Sequence, residues 1–147
     1  MKVLIAGCGY LGTALGSELV KAGHEVWGLR RDTAAARVLE GSGIRPITAN
    51  LLRKETLQDL PSVDTVVICQ APSRKNDEYQ ETYFDATKNF LSSLPERPLR
   101  KLILISSTSV YATADGGWVD EATDPMAGSH GDAEAREQFG AASMEFV

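Results

Sequence analysis

Three glycines, Gly7, Gly9 and Gly12, follow the apolar run Val3-Leu4-Ile5-Ala6 in the order Gly7-Cys8-Gly9-Tyr10-Leu11-Gly12. G-x-G-x-x-G spacing between a strand-like run and a helix-like one is the arrangement with which a backbone cradles a pyrophosphate. Gly7 suits a tight exit from the strand, Gly9 lets a phosphate approach the chain, and Gly12 lets the helix lie close on the strand. Amides at the start of a helix beginning at Tyr10 would face the phosphates, and the helix dipole favours their charge. The loop therefore points to a dinucleotide, with Tyr10 and Leu11 beside it. The plainer alternative is a glycine-rich turn that holds no nucleotide.

The second chemical feature is Leu29-Arg30-Arg31-Asp32. In a nucleotide-binding sheet, an acid about twenty positions past the glycine loop takes the ribose hydroxyls of NAD. Arg30 stands near that position. A carboxylate there repels a 2′-phosphate, whereas a guanidinium fork binds one. Arg30 and Arg31 thus favour NADP, with NAD the alternative through Asp32; a solvated charge pair is the bland reading.

Further along, Thr48-Ala49-Asn50-Leu51-Leu52 places Asn50 and Leu51 where an adenine edge would lie. Asn50 offers both a donor and an acceptor, and it equally suits an Asx turn. Cys69-Gln70-Ala71-Pro72 ends another apolar run, and Gln70, Ala71 and Pro72 are candidates to line the nicotinamide ribose. Arg74 and Lys75 read as solvated. Ser106-Ser107-Thr108-Ser109 gathers hydroxyls at the end of a strand, where open α/β sheets bind ligands. A hydroxyl there can stabilise a substrate oxygen during hydride transfer, or simply satisfy its own backbone.

These residues need strands and helices in alternation to bring them together. Strands are predicted at 2–6, 25–29, 44–47, 65–69 and 102–106, and helices at 10–22, 33–40, about 53–60 and 77–94. Tyr83, Thr87, Phe90, Leu91 and Leu94 share one face of the last helix, which Pro95 ends. Asp32 is the expected N-cap of the second helix and Gly41 its expected C-cap. Val66-Val67-Ile68 and Leu102-Ile103-Leu104-Ile105 are continuous apolar runs, the pattern of parallel strands covered on both faces. The expected fold is a doubly wound α/β sheet of about five parallel strands in the order 3-2-1-4-5. Residues 1–147 are expected to form a single nucleotide-binding domain, with 107–147 mostly loop and a short helix over 132–139. Nothing after Val110 reads as a sixth strand, so the domain is expected to be cut short. Its fifth strand would then be an exposed edge, open to pairing in a homodimer.

Composition narrows the classes. The 147 residues are 43% hydrophobic and 24% charged, as in an ordinary globular domain. A net charge of −5 without a basic tract longer than a pair argues against nucleic acid as a partner. No apolar run is long enough for a membrane span and no secretory leader precedes the first strand, so a cytoplasmic location is expected. Cys8 and Cys69 suit neither a disulfide framework nor a metal cluster and are expected to be buried small hydrophobes.

The combination of GCGYLG, AGHEVWGLRRD, and ISSTSVYA followed by GGWVDEATDP resembles the extended short-chain dehydrogenase/reductases, the NAD(P)-dependent epimerase/dehydratase group, and most closely its atypical members. The likeness runs from Met1 to about Pro125. It implies a Rossmann domain with NADP or NAD along the strand ends, and oxidoreductase or epimerase chemistry on a small-molecule substrate that the residues do not name. Ser107, four residues before Tyr111, matches the family's catalytic Ser/Thr. The chain departs from the pattern elsewhere. The family's Tyr-x-x-x-Lys is absent: Ser129-His130-Gly131-Asp132-Ala133-Glu134 puts His130 on the tyrosine and Glu134 on the lysine. His130 is thus the candidate proton donor or base, with an exposed loop histidine as the alternative. Tyr83 stands where the family has a helix asparagine, and the family's C-terminal substrate region is missing. Three readings remain: a family oxidoreductase or epimerase using Ser107, a nucleotide-sensing module without turnover, and a truncated product.

Overall fold

Successive side chains of a strand point to opposite faces, so an uninterrupted apolar run has to be buried on both sides. The computed structural model describes residues 1–72, 80–96, 98–105, 117–120 and 122–123. In β1 (Lys2–Ala6), Val3 and Ile5 enter one core while Leu4 and Ala6 enter another. β4 (Thr65–Ile68) divides in the same way, Val67 joining the first core and Val66 and Ile68 the second. The first core is closed by Leu15, Leu19 and Val20 of α1 (Tyr10–Lys21). The second is closed by Ala86 and Phe90 of α3 (Ala86–Ser92).

Between these elements lie β2 (Glu25–Arg30), α2 (Thr33–Arg37) and β3 (Arg45–Thr48), and the last strand is β5 (Lys101–Leu104). All neighbouring pairs are parallel and the order is β3-β2-β1-β4-β5, as expected from the alternation of runs. This is a Rossmann-type doubly wound sheet. The chain winds outward through β2 and β3 on one side of β1, then crosses to β4 and β5 on the other. The crevice between the carboxyl ends of β1 and β4 is therefore the switch point at which such sheets bind ligands.

Local chemistry explains where the elements stop. α1 closes at Gly23, whose φ of 81° allows the His24 N–H to reach the Leu19 carbonyl at 3.0 Å and its own N–H to reach that of Val20 at 2.9 Å. Asp32 caps α2 as expected, its Oδ1 accepting from the Ala35 N–H at 2.8 Å. The C-cap differs from the expected Gly41. After Arg37 the helix tightens into a 3-10 turn over Val38–Ser42, and Gly43, with φ 71°, takes the left-handed position.

Two expected helices are also corrected. Residues 53–60 form only a 3-10 turn, Lys54–Leu57, because the Thr56 hydroxyl competes for backbone partners. It accepts from the Asn50 N–H at 3.0 Å and bonds the Arg53 carbonyl at 2.8 Å. The helix expected over 77–94 begins, within the described residues, as a π-helical turn, Gln80–Asp85, before α3. β5 carries less cover than its apolar run implied, with Ile103, Leu104 and Ile105 each about 40% exposed. It is an edge strand, and among the described residues nothing pairs with its outer side.

The chain divides into two units, Met1–Ile105 and Ser106–Val147. In the second, Asp120 nucleates a turn: its Oδ1 accepts from the Ala122 N–H at 3.0 Å and its carbonyl from the Thr123 N–H at 3.1 Å.

Candidate functional site

The glycine loop leaves β1 through Gly7 at φ 72°, a left-handed conformation. A Cβ at this position would stand 2.7 Å from both the Cα and the N of Gln70, so the loop lies directly on the end of β4. At Gly12 the space is taken by helix–strand packing: a Cβ there would be 3.0 Å from Ile5 Cγ2. Gly9 begins α1 with no side-chain cap, and no acidic residue stands in the first turn. Tyr10 and Leu11 project outward, Tyr10 almost completely exposed. An α-helix start has amides without intrahelical acceptors, and no carboxylate of its own first turn competes for them.

The end of β2 meets this loop from the side. The Cys8 N–H donates to the Leu29 carbonyl at 2.9 Å, and the Cys8 carbonyl accepts from Arg30 Nη1 at 2.9 Å. The Thr13 hydroxyl reaches the same carbonyl from α1 at 3.3 Å. Arg30 Nη1 lies 3.4 Å from where a Cβ on Gly9 would be, so the guanidinium sits against the loop. Arg31 is exposed next to it, and Asp32 is engaged in capping α2.

Cys8 is buried and Cys69 half-buried against the same core, so the expectation of two buried small hydrophobes is met by Cys8 and in part by Cys69. Burial pushes the Cys8 thiol up from its ordinary pKa, against smaller opposing effects of Thr13 and the Arg30 charge. Cys69 is raised in the same direction, chiefly by burial and then by Cys8. Both are poor nucleophiles as placed, since the reactive form is the thiolate.

At the β3 edge Asn50 forms the Asx turn: its Oδ1 accepts from the Leu52 N–H at 3.0 Å. Leu51 is buried in the core that α3 closes. At the β4 edge the Gln70 side chain turns toward the π-helical segment. Its Nε2 donates to the Thr82 carbonyl and, at 2.7 Å, to the Thr87 hydroxyl, while Oε1 is buried without a partner among the described residues. Ala71 is exposed and Pro72 half-buried. Ser107, His130, Arg74 and Lys75 lie outside the described residues.

The structure thus brings Gly7, Gly9, Gly12, Arg30 and Gln70 to one end of the sheet. It adds residues that sequence reasoning passed over. Thr13 carried no signal beyond being a hydroxyl one turn into α1. Gly16 and Gly28 did have one, as glycines inside a helix and a strand. A Cβ would meet Ile44 Cδ1 at 2.6 Å from position 16, and Cys8 Sγ and Leu39 Cδ1 at 2.8 Å from position 28. The Gln70–Thr82–Thr87 latch is a non-local contact with no sequence signature.

Comparison with known proteins places this arrangement. A family model described as the NAD dependent epimerase/dehydratase family matches residues 3–137. The chain is 32% identical over 123 residues to Protein YeeZ of Escherichia coli (strain K12), covering 78% of this chain and 43% of that protein. It superposes with a TM-score of 0.75 on a UDP-glucose 4-epimerase from Bifidobacterium longum solved in complex with NAD+ and UDP, at 18% identity, over 98% of this chain and 48% of that one. A serine dehydrogenase from Escherichia coli matches with a TM-score of 0.59 at 19% identity, over 74% of this chain and 63% of that one. At such identities the structural likeness is one of fold. The chain spans about half the length of YeeZ and of the Bifidobacterium enzyme.

Proposed function

Since the chain belongs to the NAD dependent epimerase/dehydratase family, we propose that it supplies the cofactor-binding part of an NAD(P)-dependent oxidoreductase or epimerase and prefers NADP. The observation that carries the reading is the glycine loop with the Arg30 guanidinium seated against it. The cradle suits the group: Gly7 has no room for a Cβ, which would stand 2.7 Å from the Gln70 backbone, Gly9 carries no side chain where a phosphate would approach, and the first turn of α1 bears no carboxylate. In this reading the backbone of Gly9, Tyr10, Leu11 and Gly12 holds the pyrophosphate. Asn50 and Leu51 border the adenine, and Gln70, Ala71 and Pro72 border the nicotinamide ribose. The nicotinamide supplies a site that accepts or returns a hydride.

Preference for the 2′-phosphate rests on charge. Arg30 carries five N–H donors, and Cys8 engages Nη1. With Arg31 exposed beside it, the end of β2 presents two guanidinium groups and no carboxylate free of capping duty. Arg30→Asp is expected to shift the ratio of NADPH to NADH affinity toward NADH by about tenfold or more, on the scale of one charge-assisted contact. Fluorescence titration of the purified chain with each cofactor measures it. An unchanged ratio would overturn the NADP preference, and binding of neither cofactor would overturn the cofactor reading itself.

Ser107 is proposed to hydrogen-bond a substrate oxygen and His130 to carry its proton. A binding module without turnover is the second reading, favoured by the lack of Tyr-x-x-x-Lys in the sequence. Turnover of an aldehyde or sugar nucleotide with NADPH, lost in Ser107→Ala, is the expected result for the enzyme. Tight NADPH binding with no turnover would instead identify the module.

A further inference from the structure

Residue 8 is held at both ends by the end of β2. Its N–H donates to the Leu29 carbonyl at 2.9 Å, and its carbonyl accepts from the side chain of the next residue, Arg30, at 2.9 Å. Thr13 adds a longer contact to that carbonyl from α1. Cys8 stands between Gly7, in the left-handed turn, and Gly9, where α1 begins, so the orientation of its peptide groups sets the direction of the loop amides. Flanked by two glycines, this stretch has little intrinsic stiffness, because glycine restricts its own backbone least. Inside the loop only the bond from the Gly9 N–H to the Gly7 carbonyl at 2.6 Å restrains it, so the contacts from β2 and α1 supply the rest of its preference for one conformation.

We infer that Arg30 is a positioning residue for the glycine loop, acting through the Cys8 carbonyl, in addition to any contact it makes with a 2′-phosphate. The inference rests on reading the loop as the pyrophosphate cradle, which both NADH and NADPH would use alike. A charge-assisted bond to a half-buried carbonyl is among the stronger neutral-to-ion contacts, and both of its partners here belong to the protein. A loop held by this bond loses less entropy when it binds a cofactor. The guanidinium lies in ordinary van der Waals range of position 9, 3.4 Å from where a Cβ on Gly9 would be.

The two roles of Arg30 separate experimentally. Hydrogen exchange at the Cys8 and Gly9 amides of the unliganded protein reads the clamp directly. In Arg30→Gln these amides are expected to exchange about tenfold faster than in the wild type, with Thr13→Ala moving them the same way by less. NADH affinity is expected to fall in Arg30→Gln by about tenfold, although NADH has no 2′-phosphate. Unchanged exchange at both amides would overturn the clamp. Faster exchange with unchanged NADH affinity would overturn its role in binding. If the wild type binds neither NADH nor NADPH, the cofactor reading fails and the exchange rates still judge the clamp. Should Arg30→Gln fail to fold, Thr13→Ala decides by the same two readouts.

Discussion

Gly7→Ala is expected to be among the most damaging single-methyl additions this chain can receive, lowering stability by about 3 kcal/mol or more and abolishing NADPH binding. Two independent costs combine. The backbone at position 7 has φ 72°, where a Cβ collides with its own chain, at about 1–2 kcal/mol. The added carbon would also stand 2.7 Å from Gln70 Cα and N. Those are backbone atoms of the segment leaving β4, so no side chain can swing aside; either the glycine loop or the β4 end must move. Movement of the loop turns the amides of the α1 start away from their common direction, which is why ligand binding is expected to fail along with stability. Gly23→Ala supplies the control. Its φ of 81° carries the same conformational cost, yet nothing lies within 4 Å of the added carbon. Urea unfolding of the two variants therefore isolates the steric part. Equal midpoints for Gly7→Ala and Gly23→Ala would mean that the loop does not rest on β4.

Phe90→Ala is expected to cost about 3–5 kcal/mol, the range for emptying a buried aromatic site, out of a total of about 5–15 kcal/mol for a domain of this kind. Phe90 has no solvent exposure and shares its core with Leu4, Leu57, Val66 and Ile68. α3 has little stability of its own, and Phe90 is its largest buried side chain. It is seven residues long, lacks a side-chain N-cap, and follows a π-helical turn rather than a regular one. A helix this short has no independent stability in water, so packing has to provide it. Loss of Phe90 also loosens Thr87, one turn earlier, and with it the bond from Gln70 Nε2 that ties α3 to the end of β4. The urea midpoint should fall. Trp27, which packs on the same core, should show red-shifted fluorescence at denaturant concentrations where the wild type remains native. A midpoint close to that of the wild type would show that α3 is held by something other than its apolar face.

Much of the fold was legible because its signals are local. The apolar runs of β1 and β4 are continuous, which requires cover on both faces, and parallel pairing with that cover leaves few topologies; 3-2-1-4-5 is the one observed. Gly23 and Asp32 ended and began helices for reasons contained within a few residues. Errors arose where two local signals compete. Around Asn50 and Thr56 the side chains bond to the backbone and leave a 3-10 turn in place of a helix. The second helix tightens before it ends, which moves its left-handed cap from Gly41 to Gly43.

For the site, residue types and spacing alone determined that a loop of three glycines follows the first strand and that two arginines, not an acid, end the second. These are properties of neighbours along the chain, and the proposed ligand class rests on them. Only the tertiary structure decided what those residues do to one another. That Arg30 bonds the Cys8 carbonyl across 22 positions, that Gly7 rests on Gln70, and that Gln70 reaches Thr82 and Thr87 all depend on strands brought side by side. No periodicity records such pairings, because the contact partners are selected by the register of the sheet. The glycine loop thus belongs to the sequence, while the support that gives it one shape is built by β2 and β4.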